Sequence, residues 1–314
     1  MSKYLITGGA GFIGCNMARF LLGKGHDVVV LDNFSTGKRE NVTDILGRIE
    51  LIEADIRDRG AIERAATSCA AIFHLAALGS VPRSVEDPLT SHDVNVNGTI
   101  NVLEVARSKG PRRVVFAASS SAYGNQVELP KHEKMVPSPI SPYAASKLAG
   151  ESYMQAYAAS YGLETLCLRY FNVFGPFQDP QGAYAAVIPA WVSRLLRGQS
   201  PIVYGDGEQS RDFCYIGNVC QANWLAANAD AKACNGQTLN IACNKSTSLN
   251  EILKLLNRLL GTKVEAIYQP LRAGDVKHSL ADISAAAAVI GYKPEVFFEE
   301  GLKKSIEWYR KSLG

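Results

Sequence analysis

The chain has 314 residues, a net charge of +3, and 47% hydrophobic and 20% charged residues, a composition ordinary for a globular protein. It contains no long Lys or Arg run, which argues against nucleic acid or an anionic membrane as partner, and no apolar stretch long enough to span a bilayer. The N-terminal segment lacks a signal-peptide pattern, and the seven cysteines form no C-x-x-C pair. We therefore expect a cytoplasmic protein with buried, reduced thiols and no metal site.

The beginning of the chain predicts a dinucleotide-binding unit. A short apolar strand over 3–7 runs into Gly8-Gly9-Ala10-Gly11-Phe12-Ile13-Gly14, a helix follows over 15–22, and a second strand over 28–31 leads into Asp32. Glycines let the backbone approach a pyrophosphate, and the helix N-terminus supplies N–H donors and positive potential. Asp32 can accept hydrogen bonds from ribose hydroxyls and would repel a 2′-phosphate, which favours NAD over NADP.

Strand and helix signals continue to alternate through the first half of the chain. The predicted elements are, in order, a strand over 49–53, a helix over 61–67, a strand over 71–75, a helix over 95–108 and a strand over 113–118. Such alternation indicates a parallel sheet with helices on both faces, in which ligands bind beyond the carboxyl ends of the strands. Asp32, Gly79 and the run Ser119-Ser120-Ser121 follow strand ends, so we expect the serine hydroxyls to face a cleft.

The segment Ser141-Pro142-Tyr143-Ala144-Ala145-Ser146-Lys147 predicts a helix that carries a catalytic pair. Ser141 is a favourable N-cap, and Pro142 suits the first helical position. Tyr143 and Lys147 are four residues apart, which places them on one face of the helix, one turn from each other. A neighbouring ammonium lowers the pKa of a phenol, and such a tyrosine can act as a general base, with one of the serines relaying a proton.

The second half of the chain predicts a further, smaller lobe. A strand over 163–168 continues into Arg169-Tyr170-Phe171-Asn172, after which Pro, Gly and Gln become frequent. The later signals are a helix with Trp191, a strand and turn over 201–207, a strand over 238–241, and a helix over 249–260 capped by Ser248. Arg211 and Arg272 suit a phosphate group, because guanidinium binds phosphate in a forked geometry, although isolated arginines more often form surface ion pairs.

In their order, these motifs resemble the extended short-chain dehydrogenase/reductase family. The motifs that carry the resemblance are Gly8-x-x-Gly11-x-x-Gly14, Asp55-Ile56, Leu75-Ala76-Ala77, Asn95, the serine run before Tyr123-Gly124, and Tyr143-x-x-x-Lys147. The resemblance implies an α/β fold with a Rossmann-type doubly wound parallel sheet and a smaller C-terminal α/β substrate-binding lobe. It places the NAD-binding Rossmann domain at 1–172, with 214–243 returning to it, and the UDP-sugar-binding lobe at 173–213 and 244–314.

The resemblance also implies the residues of each site. It assigns catalysis to Ser119, Tyr143 and Lys147. The implied cofactor-binding positions, besides Tyr143 and Lys147, are Gly8, Gly11, Phe12, Ile13, Gly14, Asp32, Asn33, Ser35, Thr36, Gly37, Asp55, Ile56, Leu75, Ala76, Ala77, Asn95 and Tyr170. The implied substrate-binding positions are Gly79, Ser80, Ser120, Ser121, Asn172, Ala186, Val187, Tyr204, Arg211, Arg272, Asp275 and Ser279.

Within the family, the chain is similar over essentially its whole length to the UDP-hexose 4-epimerase group, and the segment 178–189 is similar to members that act on N-acetylhexosamines. This similarity implies an NAD-dependent enzyme that interconverts UDP-N-acetylglucosamine and UDP-N-acetylgalactosamine through a 4-keto sugar that turns about its phosphate linkage. It also implies a homodimer that pairs through the helix over 95–108 and the helix of Tyr143. Ser279 stands where members restricted to plain hexoses carry Tyr, and it leaves room for an acetamido group.

The motifs leave three different functions open. A UDP-glucuronate 4-epimerase or decarboxylase would hold a carboxylate, and Phe177, where relatives often carry Arg, argues mildly against it. A 4,6-dehydratase would carry an acidic pair where this chain has Ser120 and Ser121. A non-catalytic NAD-sensing protein would usually lack Tyr143 or Lys147. Phe177 and Ala122, which replaces a common Val, leave the preference between acetylated and plain hexoses undecided.

Overall fold

The computed structural model describes residues 1–180, 186–270 and 277–313, in which strands and helices alternate. The described strands are, in chain order, β1 (Lys3–Thr7), β2 (Asp27–Asp32), β3 (Glu50–Glu53), β4 (Cys69–His74), β5 (Arg113–Ser119), β6 (Glu164–Tyr170), β7 (Val173–Phe174), β8 (Ile202–Tyr204), β9 (Ser210–Asp212), β10 (Cys214–Tyr215), β11 (Asn235–Ile241), β12 (Ser246–Ser248) and β13 (Ile267–Gln269). The described α-helices are α1 (Phe12–Gly23), α2 (Arg59–Ala65), α3 (Val81–Glu86), α4 (Pro88–His92), α5 (Gly98–Ser108), α6 (Pro142–Tyr161), α7 (Val187–Leu196), α8 (Ile216–Ala227), α9 (Leu249–Leu260), α10 (Ser284–Ile290) and α11 (Phe298–Leu313).

A parallel sheet organises the described chain. Its strands lie in the order β11-β6-β5-β4-β1-β2-β3, and every neighbouring pair is parallel. The chain builds outward from β1 to β3 on one side and then from β4 to β6 on the other. The strand order therefore reverses between β1 and β4, where doubly wound sheets form their ligand-binding crevice. The predicted Rossmann-type fold class is confirmed.

Both faces of the sheet are buried, because successive strand residues point to opposite sides. Tyr4 and Ile6 of β1 pack into an apolar cluster with residues of α1 and α8. Leu5, between them, packs into the cluster on the other face, with residues of α2, α5 and α6. This double burial explains why β1, β2 and β5 are almost continuously apolar in sequence.

A third apolar cluster is built almost wholly by the later part of the chain. Trp191 of α7, Leu256 of α9 and Ile306 of α11 pack there with Phe174 and Phe213. Within the described residues, three two-stranded pairs lie outside the main sheet: β7 with β10, β8 with β13, and β9 with β12. The cluster accords with a smaller lobe, and the domain boundaries expected from the sequence remain predictions.

The helix-capping signals of the sequence are confirmed. The Ser141 hydroxyl accepts a hydrogen bond from the backbone N–H of Ala144 at 3.1 Å, and Pro142 is the first residue of α6. Ser248 caps α9 in a capping box with Glu251. Two start signals were missed, since Ser80 and Asp87 each cap a short helix, α3 and α4, that has Pro in its first turn.

Some predicted boundaries were wrong, for local reasons. The helix expected over 95–108 begins at Gly98, because residues 93–97 form a π-helical turn. Helix α1 begins at Phe12, so the last residues of the glycine motif are already helical.

All seven cysteines are buried free thiols, as predicted. Across residues 1–180, 186–270 and 277–313, no helix combines the length and apolar character that crossing a membrane requires.

Gly150 of α6 provides a test of how closely this helix packs on β5. A Cβ atom at Gly150 would lie 2.5 Å from Cζ of the buried Phe116 ring. Gly→Ala inside a helix usually stabilises by about 0.5–1 kcal/mol. We expect Gly150→Ala to lower the melting temperature instead, because the helix or the ring must move. Gly60→Ala in α2 is the matched control, since its Cβ would lie 3.4 Å from the nearest atom. Equal melting temperatures for the two variants would contradict this packing.

Candidate active site

The turn between β1 and α1 borders a cavity of about 620 Å³. Gly8 has a φ of +71°, and a Cβ there would lie 2.7 Å from Cα of Ala76. A Cβ on Gly14 would lie 2.1 Å from the carbonyl oxygen of Gly8. Neither position can accept a side chain, so the backbone itself forms this wall. Among the described residues no side chain caps α1 at Gly11, and the N–H groups of its first turn lie at the cavity.

The carboxylate of Asp32 is held in one orientation at the end of β2. Its Oδ2 accepts from the backbone N–H of Ala10 at 2.9 Å, and its Oδ1 accepts from the backbone N–H of Phe34 at 2.8 Å. Burial raises the pKa of Asp32, and the two N–H groups act in the opposite direction. A Cβ on Gly37 would lie 3.0 Å from Oδ1, so Gly37 packs against the carboxylate. Each oxygen keeps acceptor capacity for a hydroxyl in the cavity.

Asp55 faces the same cavity and is fixed by a residue that sequence reasoning missed. Arg57 donates from Nε to Oδ1 at 3.0 Å and from Nη2 to Oδ2 at 2.8 Å. Asn33 donates from Nδ2 to Oδ2 at 2.8 Å. The Arg57 guanidinium lowers the pKa of Asp55, which is therefore ionised. The cluster holds the loops after β2 and β3 together beside the cavity.

Most of the predicted cofactor-binding positions lie together around this cavity. Those that line it are Gly8, Gly11, Phe12, Ile13, Gly14, Asp32, Asn33, Ser35, Thr36, Asp55, Ile56, Leu75, Ala76 and Ala77. Gly79 and Ser80, which were assigned to the substrate, line it as well. Sequence reasoning missed Arg83, and it interpreted Gln178 and Asp179 only as part of a sugar-related segment.

Two of the predicted cofactor positions point into the protein instead. Asn95 accepts from the backbone N–H of Leu78 at 2.8 Å and donates to the Leu78 carbonyl at 3.2 Å and to Ser146 Oγ at 3.0 Å. Its carboxamide thus fastens the loop after β4 to α6 and is not part of the cavity wall. Tyr170 is buried, with its hydroxyl hydrogen-bonded to Asn223 at 3.0 Å. Both residues are therefore buried next to the site and do not line the cavity.

The predicted catalytic residues meet at the carboxyl end of β5. Ser119 is the last residue of this strand, and Tyr143 lies in the first turn of α6. Ser121 donates to Ser119 Oγ from its hydroxyl at 2.8 Å and from its backbone N–H at 3.2 Å. Burial raises the pKa of Tyr143, and a hydrogen bond with Ser119 acts to lower it. The hydroxyls of Ser121 and Ser119 are therefore hydrogen-bonded, and Ser119 is near enough to Tyr143 to affect the pKa of its phenol.

Lys147 does not act on Tyr143 as the sequence predicted. Its Nζ donates to the Ala117 carbonyl at 2.9 Å and lies 4.9 Å from the centre of the Phe116 ring. Burial lowers the pKa of Lys147 to about 8. The pKa of Tyr143 is raised, so the expectation of a lowered value was wrong for this structure. The reason is that the phenol is desolvated while the ammonium is turned toward β5.

A second cavity of about 450 Å³ contains several of the predicted substrate positions. Asn172, Ala186, Val187, Tyr204 and Arg211 line it, together with Trp191, Arg194 and Phe213, which were not predicted. Arg211 donates from Nη1 to the carbonyls of Ser210 and Lys277 at 3.0 and 3.1 Å. Ala186 lines both cavities, which therefore adjoin.

Four more of the predicted substrate positions are placed differently or not described. Ser279 donates its backbone N–H to Ser210 at 3.0 Å and is absent from the described lining of both cavities. Ser120 is half-buried in the turn after β5. Arg272 and Asp275 lie outside the described residues.

A glycine loop at β1, an acid at the end of β2, and a Ser, Tyr and Lys group where α6 meets the end of β5 define a dinucleotide-dependent enzyme of the short-chain dehydrogenase/reductase class. A family model described as "NAD dependent epimerase/dehydratase family" matches residues 4–242. The chain belongs to this family, whose cofactor is NAD.

Three relatives show how much of the chain the likeness covers. A putative UDP-glucose 4-epimerase of Methanocaldococcus jannaschii is 40% identical over 310 residues, which are 98% of each chain. The structure of a UDP-N-acetylglucosamine 4-epimerase from Methanobrevibacter ruminantium M1, in complex with UDP-N-acetylmuramic acid, is 38% identical, with a TM-score of 0.93 and 99% of each chain covered. A UDP-glucuronate 4-epimerase of Thermodesulfobacterium geofontis is 34% identical over 325 residues, covering 100% of this chain and 98% of that protein. These relatives share the 4-epimerase name and differ in the sugar.

The environment of Asp32 predicts which dinucleotide binds. We expect NAD to bind more tightly than NADP, because a 2′-phosphate would meet a fixed carboxylate. Asp32→Ala should lower the ratio of the NADP dissociation constant to the NAD dissociation constant by about tenfold or more, since like charges in contact cost several kcal/mol. The measurement is calorimetric titration of protein freed of co-purified dinucleotide. Asp27→Ala, at the exposed start of the same strand, is the control and should change neither constant. Tighter binding of NADP by the unaltered protein would refute the role of Asp32.

Proposed function

We propose that this chain is an NAD-dependent 4-epimerase that interconverts UDP-N-acetylglucosamine and UDP-N-acetylgalactosamine. The observation that supports the proposal is the placement of Ser119 at the end of β5 beside α6, which carries Tyr143 in its first turn and Lys147 one turn later. This strand lies between β4, whose following loop lines the first cavity, and β6, whose continuation lines the second. A base at this place can reach a sugar hydroxyl located between a dinucleotide and a nucleoside diphosphate.

The residues around the first cavity fit NAD, and its chemistry there is hydride acceptance and return. The first turn of α1 would hold the pyrophosphate, and Asp32 the adenosine ribose. Tyr143 takes the proton from the sugar 4-hydroxyl and gives it back after the stereochemical change at that carbon. Burial raises the pKa of Tyr143 and Ser119 acts to lower it. In the proposed mechanism the charge of Lys147, one helical turn away, supplies the further stabilisation that the phenolate needs. With a pKa of about 8, Lys147 is protonated at neutral pH.

The second cavity would hold the UDP moiety. Arg211 supplies a guanidinium for the diphosphate, and Asn172 lies on the same wall. Tyr204 and Trp191 provide aromatic surface for a nucleobase. Arg272 and Asp275 remain sequence-based predictions as further UDP ligands.

The choice among sugars rests on fewer observations. The likeness to the M. ruminantium enzyme supports an N-acetylhexosamine, and UDP-glucose and UDP-galactose are further candidate substrates. UDP-glucuronate is the competing substrate, favoured by the T. geofontis relative. Phe177 weighs against it, because the ring lies 4.1 Å from the Arg19 guanidinium and 5.0 Å from the Trp308 ring. The Phe177 ring itself cannot bind a carboxylate, and the Arg19 guanidinium beside it is already paired with Asp44.

The residues at the end of β5 also bear on a non-catalytic role and on a dehydratase. A non-catalytic NAD-sensing role does not explain why Ser119, Tyr143 and Lys147 come together where α6 packs on the end of β5. A 4,6-dehydratase needs acids where Ser120 and Ser121 stand. Both functions therefore fit this site less well than a 4-epimerase.

The assembly is proposed from the exposed side chains of α6. We expect a homodimer through α5 and α6, where Tyr153 and Tyr161 are 38% and 49% exposed. A second copy of the chain could cover both rings.

The direct test follows each UDP-sugar by proton NMR. With UDP-N-acetylglucosamine, the unaltered protein should accumulate UDP-N-acetylgalactosamine, and with UDP-glucuronate it should produce neither an epimer nor a pentose. Tyr143→Phe should fold and bind NAD but lose at least about 10²-fold in kcat, the size of a general-base contribution. Tyr153→Phe, on the same helix, is the matched control and should retain activity. If the protein turns over UDP-glucuronate and no other UDP-sugar, the proposed substrate is wrong. Full activity in Tyr143→Phe would show that Tyr143 is not the general base.

Ser279 provides a separate test of sugar size. If this residue lies beside the sugar in the substrate complex, a large side chain there excludes a 2-acetamido group by steric overlap. We expect Ser279→Tyr to lose turnover of the two acetylated UDP-sugars by about 10²-fold or more while UDP-glucose and UDP-galactose are spared. Ser279→Thr is the conservative control and should keep all activities. The assignment fails if Ser279→Tyr turns over the acetylated pair as the unaltered protein does.

A further inference from the structure

A buried ion pair lies one helical turn beyond Lys147. Glu151 of α6 accepts two hydrogen bonds from Arg169 of β6, from Nε at 2.8 Å and from Nη2 at 2.6 Å. The Arg169 and Glu151 side chains are 4% and 6% exposed. Removing two charges from water is costly, and packed apolar residues often serve stability as well. Neither residue belongs to the described lining of the cavities, so the pair calls for a reason other than ligand contact.

Further contacts hold the Arg169 guanidinium in place. Its guanidinium lies 4.6 Å from the centre of the Tyr123 ring, and the Tyr123 hydroxyl donates to Asn240 Oδ1 at 2.8 Å. The remaining nitrogen, Nη1, has no hydrogen-bond partner within the described part of the chain. Arg169 therefore binds both oxygens of Glu151 and fixes that carboxylate between α6 and β6.

The surroundings of Lys147 contain little else that could favour its charge. On α6, burial raises the pKa of Tyr143, which disfavours a negative charge on that phenol. On β4, His74 is fully buried between the hydroxyls of Thr7 and Thr99, at 2.8 and 3.0 Å, and its pKa is lowered to about 3, so it is uncharged. On β5, Ala117 offers a carbonyl and Phe116 a ring face.

On β6, the charge of Arg169 is balanced by Glu151. Among the described groups that act on Lys147, Glu151 is the one that opposes the effect of burial. The spacing explains this, because residues i and i+4 lie on one helix face. In a water-poor interior such an interaction is stronger than at the surface.

We propose that Glu151, fixed by Arg169, is a positioning residue that keeps Lys147 protonated in the pH range in which Tyr143 works as a base. The inference rests on the proposed function, since it gives Lys147 a catalytic role. The ion pair thereby sets the upper pH limit of the reaction without touching substrate or cofactor.

The test removes the carboxylate without leaving Arg169 unpaired. Glu151→Leu combined with Arg169→Met deletes both charges and keeps the volume. The matched control is Glu164→Leu combined with Arg113→Met. It removes another ion pair, which joins β5 to β6 at the end of β6 away from Arg169. Two single variants complete the set: Glu151→Gln deletes the negative charge alone, and Glu151→Asp retains it.

The first readout does not require activity. Protein labelled with ¹³C-lysine is titrated by NMR, and the Cε signal of Lys147 is assigned by its loss in Lys147→Met. In the double variant the Lys147 signal should titrate about one pH unit lower than in the unaltered protein, and in Glu151→Gln lower still, because a nearby opposite charge shifts a pKa by about 1–3 units. Glu151→Asp and the control pair should stay near the unaltered value. An unchanged midpoint in both the double variant and Glu151→Gln overturns the inference, and Glu151→Gln decides it if the double variant does not fold.

The second readout is the pH dependence of epimerisation. In the double variant, kcat should fall about tenfold at pH 8.5 and change little at pH 6.5. This is the result of lowering the pKa of Lys147 by about one unit. The Michaelis constant for the UDP-sugar should not change. A uniform loss of kcat at every pH would mean a structural role only and overturns the inference. If the unaltered protein turns over no UDP-sugar, the proposed function fails, and the NMR midpoints still decide the role of Glu151.

Discussion

The contact between α6 and the end of β5 is the constraint on which the site depends. Gly150 brings the helix so close that even a Cβ atom would overlap the Phe116 ring. One turn earlier, Lys147 reaches the Ala117 carbonyl, and one turn before that, Tyr143 meets Ser119. These three contacts follow from one helix lying along one strand. Because cores are densely packed, a shift at Gly150 would move the phenol and the ammonium together.

The strand order places this contact between two different ligand environments. On the β4 and β1 side, glycines and a helix N-terminus form a cavity suited to a pyrophosphate. On the β6 side, the chain leaves the sheet at Asn172 and lines a cavity with an arginine and aromatic rings. The two sides are tied by the segment after Pro176, since Asp179 lines the first cavity and pairs with Lys38 at 2.8 Å. The end of β5 therefore lies between the two strands whose continuations line these cavities.

Buried polar groups behind the site hold its loops. Asn95 connects the backbone at Leu78 to Ser146 of α6. His74 bridges Thr7 and Thr99, and the Thr7 hydroxyl accepts from the backbone N–H of Ala76 at 3.3 Å. Since unpaired buried polar atoms are costly, these networks favour a single arrangement of the loop that lines the cofactor cavity.

The sequence alone determined the features that depend on neighbours along the chain. The caps at Ser141 and Ser248, the glycine turn after β1 and the parallel α/β class rest on short-range hydrogen bonds and hydrophobic periodicity, which a sequence displays directly. The spacing of Tyr143 and Lys147 also followed from helix geometry. None of these needs knowledge of distant residues.

Only the tertiary structure decided which groups act on one another. Lys147 turns to a carbonyl 30 residues earlier, Asn95 points inward, and Asp179 crosses to the cofactor cavity. The direction of the Tyr143 pKa was misjudged for the same reason, because desolvation depends on everything packed around the phenol. Burial and long-range pairing are properties of the folded chain, and the charge states of the site follow from them.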